Sequence, residues 1–374
     1  MNTLHSARLV VALALFAPLT ASIANGNSSN KSNSYEQHDL VSDGFSPADH
    51  PDKNLINGWG VAFNPNGFVW VADNKTGVST LYDGLGNPQS LVVRIPVAQG
   101  NSGTGSPTGI VFNGSNDFAV SNGTASGPSR FLFATEDGAI AGWAPTVDAT
   151  NALRAAIQPN AVYKGLTLAA NGTGNFLYAA DFHGGKIDVF DRTFKLVGVP
   201  GGFHDDSIPP GYAPFNIQNI QGNLYIAYAK QDEDKKDEVA GPGLGFVNVF
   251  DANGNLIRRI GAHGKLNAPW GLALAPADFG RFSNRLLVGN FGDGAILAFD
   301  PHNGAFLGRL RKPDGRLLKI DGLWGFAFGN GILSQPTSTL FFAAGPDDEN
   351  HGLYGTVKPA PGGRDHDDDD DDDD

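Results

Sequence analysis

Two histidines stand where they could act with a neighbour: His183, in DFHGG, and His204, followed directly by Asp205 and Asp206 in GGFHDDSIPPGYAPFN. A histidine beside a carboxylate is the minimum for general-base work or for an oriented metal ligand. With Asn219 of the following segment they make up a candidate ligand-binding set of His183, His204, Asp205 and Asn219. The spacing fits no compact metal motif, and a histidine capping its own loop is the plainer account of each. A second set is rich in oxygen: Asp73, Asp181, Asn290 and Asp293. Calcium takes about six to eight oxygens from carboxylates, amides and backbone carbonyls. These four are therefore the candidate ligands for Ca²⁺ or another divalent cation. A ring of Asn and Asp could equally orient a sugar or a lactone. Against both stands turn chemistry, since Asp and Asn cap hairpins through bonds to their own backbone.

Familiar catalytic constellations are missing. There is no Gly-x-Ser-x-Gly, no His-Glu-x-x-His and no Gly-Lys-Ser/Thr phosphate loop. The chain has no cysteine, which excludes thiolate chemistry and Cys-ligated zinc or iron–sulfur centres. Asn101 to Gly105 is glycine-rich but precedes a strand, so it reads as a loop. Glu136-Asp137-Gly138, in ATEDGAIAGW, resembles a carboxylate pair but reads better as a hairpin turn between the third and fourth strands of its unit.

The elements that must position these residues recur. Asn267 to Arg311 holds four short apolar runs, Trp270 to Leu274, Arg285 to Asn290, Ala295 to Asp300 and Ala305 to Leu310. Asp293-Gly294 and Asn303-Gly304 separate the later runs, and such pairs favour tight hairpins. Imperfect copies begin at Trp59-Gly60, Thr108-Gly109, Lys164-Gly165, Phe215-Asn216 and Trp324-Gly325. In the second copy the runs are Ile110 to Asn113, Phe118 to Ser121, Phe131 to Thr135 and Ala139 to Trp143. A period of roughly 50 residues is that of propeller blades. The sixth copy lacks a fourth run, while Gln37 to Ser42 is left over at the other end. The expectation is an all-β, six-bladed β-propeller of four-stranded antiparallel blades, closed by the N-terminal strand. Closure removes the free edges of an open stack.

In such a fold the loops after each second strand face one mouth of the central channel. They are Asp73-Asn74, Ser121-Asn122, Asp181 to His183, Lys230 to Asp237, Asn290 to Asp293 and Pro346 to His351. The insertion Gln231 to Gly243 has mixed charge and reads as a solvated flap over one mouth. The Trp-Gly pairs tempt a reading as sugar platforms. Their recurrence instead predicts packing between blades, with glycine allowing close approach near the axis.

The ends carry other signals. Met1 to Ala24 has Arg8, an apolar run from Leu9 to Leu19 and a small-x-small site at Ser22 to Ala24. That is the pattern of a secretory signal peptide cleaved near Ala24, too short to span a membrane. Residues 25–36 read as a disordered polar spacer, 37–359 as one propeller domain and 360–374 as a disordered acidic tail. The charge of −13 misleads: nine aspartates fall within residues 365–374, and without them −4 remains. Nucleic-acid binding through the phosphate backbone is therefore not expected. The tail could also capture Ca²⁺ or a basic surface weakly. No later stretch reads as a membrane span.

Eight segments now add a resemblance: NLINGWGVAFNP, FLFATEDGAIAGW, LYAADFHGGKIDVFD, APFNIQNI, APWGLALAPADFG, LLVGNFGDG, DGLWGFAFGNG and GPDDENHGLYG. Together they resemble the signatures of an uncharacterised family of exported bacterial proteins related to NHL-repeat propellers, over Gln37 to Pro359. The resemblance implies a six-bladed propeller in an exported bacterial protein and brings no activity with it. Some members carry a Pro-Glu-Pro sorting tail; this chain has polyaspartate there, so free release is expected.

Fold does not decide function here. The reading is an exported, monomeric, non-enzymatic scaffold that binds a ligand or an extracellular or cell-surface partner at one channel mouth. The alternative is a metal-dependent enzyme of lactonase, lyase or hydrolase type, with its cation on the axis.

Overall fold

The computed structural model describes Met1 and residues 33–100, 103–260 and 264–361. The expected signal peptide, most of the spacer and nearly all of the acidic tail lie outside the described residues.

The body is a six-bladed β-propeller. Blade 1 comprises Gly58–Phe63, Val69–Asp73, Val78–Tyr82 and Val93–Arg94, paired in that order from axis to rim. Blades 3 and 5 follow the same plan, from Tyr163–Ala170 to Leu196–Val197 and from Pro269–Leu274 to Phe306–Arg309. Blade 4 runs from Tyr212–Ile220 to Leu256–Ile260 and gains Glu238–Val239, which pairs with Lys230 and Gln231 inside its insertion. The expected flap is thus a short hairpin extension.

Blade 6 needs the other end of the chain. Leu323–Phe328, Leu340–Ala344 and Leu353–Pro359 form its inner strands, and Tyr35–Ser42 pairs antiparallel with Leu353–Pro359 as the fourth. The closing strand begins at Tyr35, two residues before the expected boundary. Tyr35 is buried, its hydroxyl donating to the Phe279 carbonyl at 3.1 Å and accepting from the Phe282 amide at 3.1 Å. That anchors the N-terminal strand to blade 5 as well.

Blade 2 departs from expectation. Its sheet is Pro107–Phe112, Phe131–Thr135, Ala139–Trp143 and Leu153–Ile157. The run at Phe118 to Ser121 is not its second strand. Ala119–Ser121 pairs with Ser126–Pro128 in a separate small hairpin, where of its three residues only Val120 is buried. Phe118 precedes it with φ 60, turning the chain out of the blade. So short a run cannot bury both faces, and the longer apolar run Phe131–Thr135 takes the slot.

Six apolar clusters hold the ring, each joining one pair of adjacent blades, including blade 6 with blade 1. A seventh fills the axis with Trp59, Phe182, Phe215, Trp270 and Trp324, and Phe291 packs on it. Trp59 and Trp324 stack with centroids 3.5 Å apart, and Phe291 stacks on Trp324 at 4.0 Å. The glycine after the opening residue of every blade but the fourth, where Asn216 stands, serves the close approach that the repeats predicted. A Cβ on Gly60 would lie 2.6 Å from the Thr108 carbonyl, and one on Gly109 would collide with the Leu166 amide of blade 3. Beyond the aromatic layer a narrow cavity follows the axis, lined by residues of all six inner strands, among them Gly60, Ile110, Leu166, Gln218, Leu272 and Phe326.

Candidate functional site

Inner strands start, and the second-to-third-strand turns sit, at the same mouth of the channel. One polar network crosses this mouth and draws on every blade. Its centre is Lys164, at the position before glycine that is Trp in blades 1, 5 and 6. The Lys164 side chain is 2% exposed. Its Nζ donates to Glu136 Oε1 of blade 2 at 2.6 Å and to Asp237 Oδ1 of the blade 4 insertion at 3.0 Å. The ammonium also lies 5.1 Å over the Trp59 ring, a cation–π contact.

From Glu136 the network runs back to blade 1, where Asn74 Nδ2 donates to Glu136 Oε2 at 2.9 Å. Asn57 Nδ2 donates to Asn74 Oδ1 at 3.4 Å and to Glu349 Oε2 of blade 6 at 3.1 Å. Asn57 Oδ1 accepts from Trp324 Nε1 at 3.0 Å, and Trp270 Nε1 of blade 5 donates to the Lys164 carbonyl at 2.9 Å. Asp347, Asp348 and Glu349 all have positive φ, at 55, 49 and 65. A left-handed backbone costs roughly 1–2 kcal/mol per non-glycine residue, so the surrounding structure must impose this one. Lys75 Nζ helps, donating to the Glu349 carbonyl at 3.3 Å and to Asn350 Oδ1 at 2.8 Å.

Charge at the mouth is unbalanced. Glu136, Asp237, Glu238 and Glu349 face one buried ammonium. Burial pulls the Lys164 ammonium down, but Glu136, Glu238 and Asp237 outweigh it and hold the group above its ordinary value. Burial pushes the Glu238 carboxyl up to about 8, with Lys164 opposing and Glu349 and Asp237 adding to the rise. Glu349 is pushed up to about 6, first by burial, with Lys164 opposing and Glu136 and Asp237 adding. The mouth would therefore gain from a further positive charge.

The structure places the sequence candidates mostly elsewhere. Asp73 is fully buried, and its Oδ2 accepts from the Thr80 amide at 3.0 Å; burial raises its carboxyl well above the ordinary value. Asp181 Oδ1 accepts from the Val162 and Gly184 amides at 3.2 and 2.9 Å. Asn290 bonds the Asn267 amide and the Lys265 carbonyl at 3.1 Å each, and Asp293 accepts from the Ala295 amide at 3.2 Å. Each of the four thus shapes its own blade's turn, and they do not converge on one point. Among the described residues no three His, Asp or Glu stand where they could hold a metal ion.

His183 and His204 are not brought together. His183 lies in the mouth turn of blade 3, half-buried, with Nδ1 unpartnered. His204 is exposed in the link to blade 4, where Asp205 binds Asn248 at 2.8 Å and pairs with Arg259. Together with Ser207 these partners hold the Asp205 carboxyl down at about 2, against the opposing pull of burial. Asn219 belongs to the opposite end of its inner strand, bonding the Leu168 carbonyl at 2.8 Å. The mouth turn of blade 2 is Glu136-Asp137-Gly138, between its second and third strands, and not Ser121-Asn122, which is exposed in the side hairpin. Lys164, Glu136 and Asn57 were absent from the candidates, whereas Asn74, Asp237 and Glu349 fell within the candidate mouth loops without being singled out. One signal could have found Lys164: aligned with the other copies, it puts a charge where three blades have tryptophan.

No family model matches the chain. It is 37% identical over 331 residues to the uncharacterised protein R648 of Acanthamoeba polyphaga mimivirus, covering 85% of this chain and 78% of that one. It is also 37% identical over 326 residues to the uncharacterised protein L690 of the same virus, covering 85% and 84%. These relatives are viral and uncharacterised, and they do not support the bacterial origin implied by the resemblance. Among solved structures it is similar to a protein of unknown function from Bacteroides thetaiotaomicron, with TM-score 0.51 and 11% identity over 88% of this chain and 74% of that one. It is also similar to a streptogramin B lyase, with TM-score 0.49 and 12% identity over 87% and 97%. At such identity the structural likeness shows the propeller fold alone.

Proposed function

Starting from a chain that belongs to the family of the mimivirus proteins R648 and L690, we propose that it is a ligand-binding propeller whose site is the mouth around Lys164. The observation that carries this reading is the network itself, to which all six blades contribute at a single point of the channel. The ligand class follows from charge. Glu136, Asp237 and Glu349 around the Lys164 ammonium, with Glu238 held protonated by burial until a cation arrives, favour an organic cation, an amine or a guanidinium, resting beside Lys164 above the Trp59 and Trp324 layer. Asp237, whose side chain is 72% exposed, offers the first contact from solvent. The carboxylates are spread around the mouth, which suits an extended cation better than a single metal ion. Export also belongs to this proposal; it rests on the apolar run and small-x-small site within Met1 to Ala24.

Thermal shift with agmatine, arginine amide and tetramethylammonium, beside glutamate and glycerol, tests the site. The cations should raise the melting temperature, and Glu238→Gln with Glu349→Gln should abolish that rise. Equal shifts in wild type and variant would place binding elsewhere and sink the proposal.

A further inference from the structure

The segment RLRKPDGRLLK, residues 309–319, is the most basic stretch of the body, with Arg309, Arg311, Lys312, Arg316 and Lys319 against Asp314 alone. It forms the end of the outer strand of blade 5 and the turn beyond it, where Arg311 pairs with Leu317 across an isolated bridge. Arg316 is exposed and bonded to Asp314, with Nε 2.8 Å from Oδ2. Lys319 is exposed, and Arg309, Arg311 and Lys312 are half-buried. Charged residues at a rim discourage edge pairing, and that explains one or two of them. Five within eleven residues, in a body of net negative charge, exceed that need.

The chain's last described residues end beside this strip. The Ala360 amide donates to the Ser34 carbonyl at 2.9 Å, and the Tyr35 amide donates to the Arg311 carbonyl at 2.8 Å. Two backbone hydrogen bonds therefore separate the start of residues 362–374 from the centre of the basic strip. That segment is GGRDHDDDDDDDD, whose nine aspartates are the densest negative charge in the sequence. Thirteen residues reach at most about 45 Å when extended, ample to follow one blade edge. With both ends so close, the tether keeps the local concentration of aspartate high. Opposite charges this near attract strongly at low ionic strength and weakly beyond a Debye length of about 8 Å at physiological salt.

We propose that the acidic segment 362–374 docks in cis on the basic outer edge of blade 5, covering Arg309, Arg311, Lys312, Arg316 and Lys319. This surface lies at the rim and is distinct from the channel mouth. Docked, the tail covers this strongly basic edge of the ring, so that copies of the chain or other polyanions cannot occupy it.

Carbodiimide cross-linking of the full chain at low salt, followed by peptide mapping, tests the proposal. The expected products join Lys312 and Lys319 to aspartates of 365–374 within one molecule, and their yield should fall at least fivefold in 0.5 M NaCl. The variant Arg309→Gln/Arg311→Gln/Arg316→Gln keeps both lysines as acceptors, and its yield should fall similarly. An unchanged yield in that variant or in high salt would mean that the tether alone brings the groups together and would overturn the proposal. Products only between copies, or only with distant lysines such as Lys195 and Lys230, would overturn it too.

Discussion

Blades 5, 6 and 1 place Trp270, Trp324 and Trp59 at the same inner-strand position where blades 2 and 3 place Thr108 and Lys164. On the aromatic side the slot makes a packed plug, with all three indoles at most 4% exposed. On the other side Thr108 Oγ1 donates to the Tyr163 carbonyl at 2.7 Å, while Lys164 carries a charge into the same layer. Backbone and glycine are alike in both; the side chain alone changes. A repeat fold offers the slot several times, and where most copies spend it on stability, the exception marks where the ring does something else.

The comparison can be broken first on its aromatic side. Trp324→Ala removes a fully buried ring that touches Trp59, Trp270, Phe215 and Phe291, and should destabilise the protein by about 3–5 kcal/mol in denaturant unfolding. The polar side should respond asymmetrically. Glu136→Gln with Asp237→Asn leaves the Lys164 ammonium buried without a carboxylate in contact, at a cost of about 3 kcal/mol. Lys164→Met removes the charge instead and fills the slot with an apolar chain; because its partners reach solvent, it should cost less than about 1 kcal/mol. If Lys164→Met proves the more damaging, the buried ammonium is a structural support and not a tolerated functional charge.

Distance from the axis gives the next contrast. Gly109→Ala drives a Cβ into the backbone of blade 3 and should cost about 1–3 kcal/mol, whereas Gly198→Ala at the rim meets nothing within 4 Å and should be near neutral. Similar melting temperatures for the two variants would remove the close-approach account of the inner glycines.

Part of this arrangement is written locally in the chain and part is not. Blade number, closure by the N-terminal strand and the mouth turns of every blade but the second were legible because Asn-Gly and Asp-Gly turns and short apolar runs are local signals. The site was not, because its members are far apart in sequence: Lys164 meets Glu136 only when blades 2 and 3 pack, and Asn57 meets Glu349 only once the ring closes. Glu136 shows a particular hazard. Successive hairpin turns alternate between the two mouths, so counting Phe118 to Ser121 as a strand moved its turn to the wrong end of blade 2. Asp73, Asp181 and Asn290, which end second strands, and Asp293 in the turn beyond did lie at the correct mouth, yet their side chains bond back to backbone groups.

The last contrast is in pH. Glu238 and Glu349 titrate higher in the folded chain, at about 8 and about 6, than the usual carboxyl value near 4.5. The folded state therefore holds more protons than the unfolded one between pH 4.5 and those values, so stability falls as pH rises through that window. Glu238→Gln should flatten the fall between pH 6 and 8, as read from unfolding midpoints, and an unchanged slope would remove Glu238 from the network.

The most direct test is calorimetric titration of agmatine into the full chain at pH 7, in two buffers of different ionisation enthalpy. A cation seated on Glu238 and Glu349 lowers both carboxyl pKa values, so binding should release protons and the observed heat should depend on buffer. Release should disappear in Glu238→Gln/Glu349→Gln. Binding with buffer-independent heat, or with proton uptake, would contradict a cation site at the Lys164 mouth.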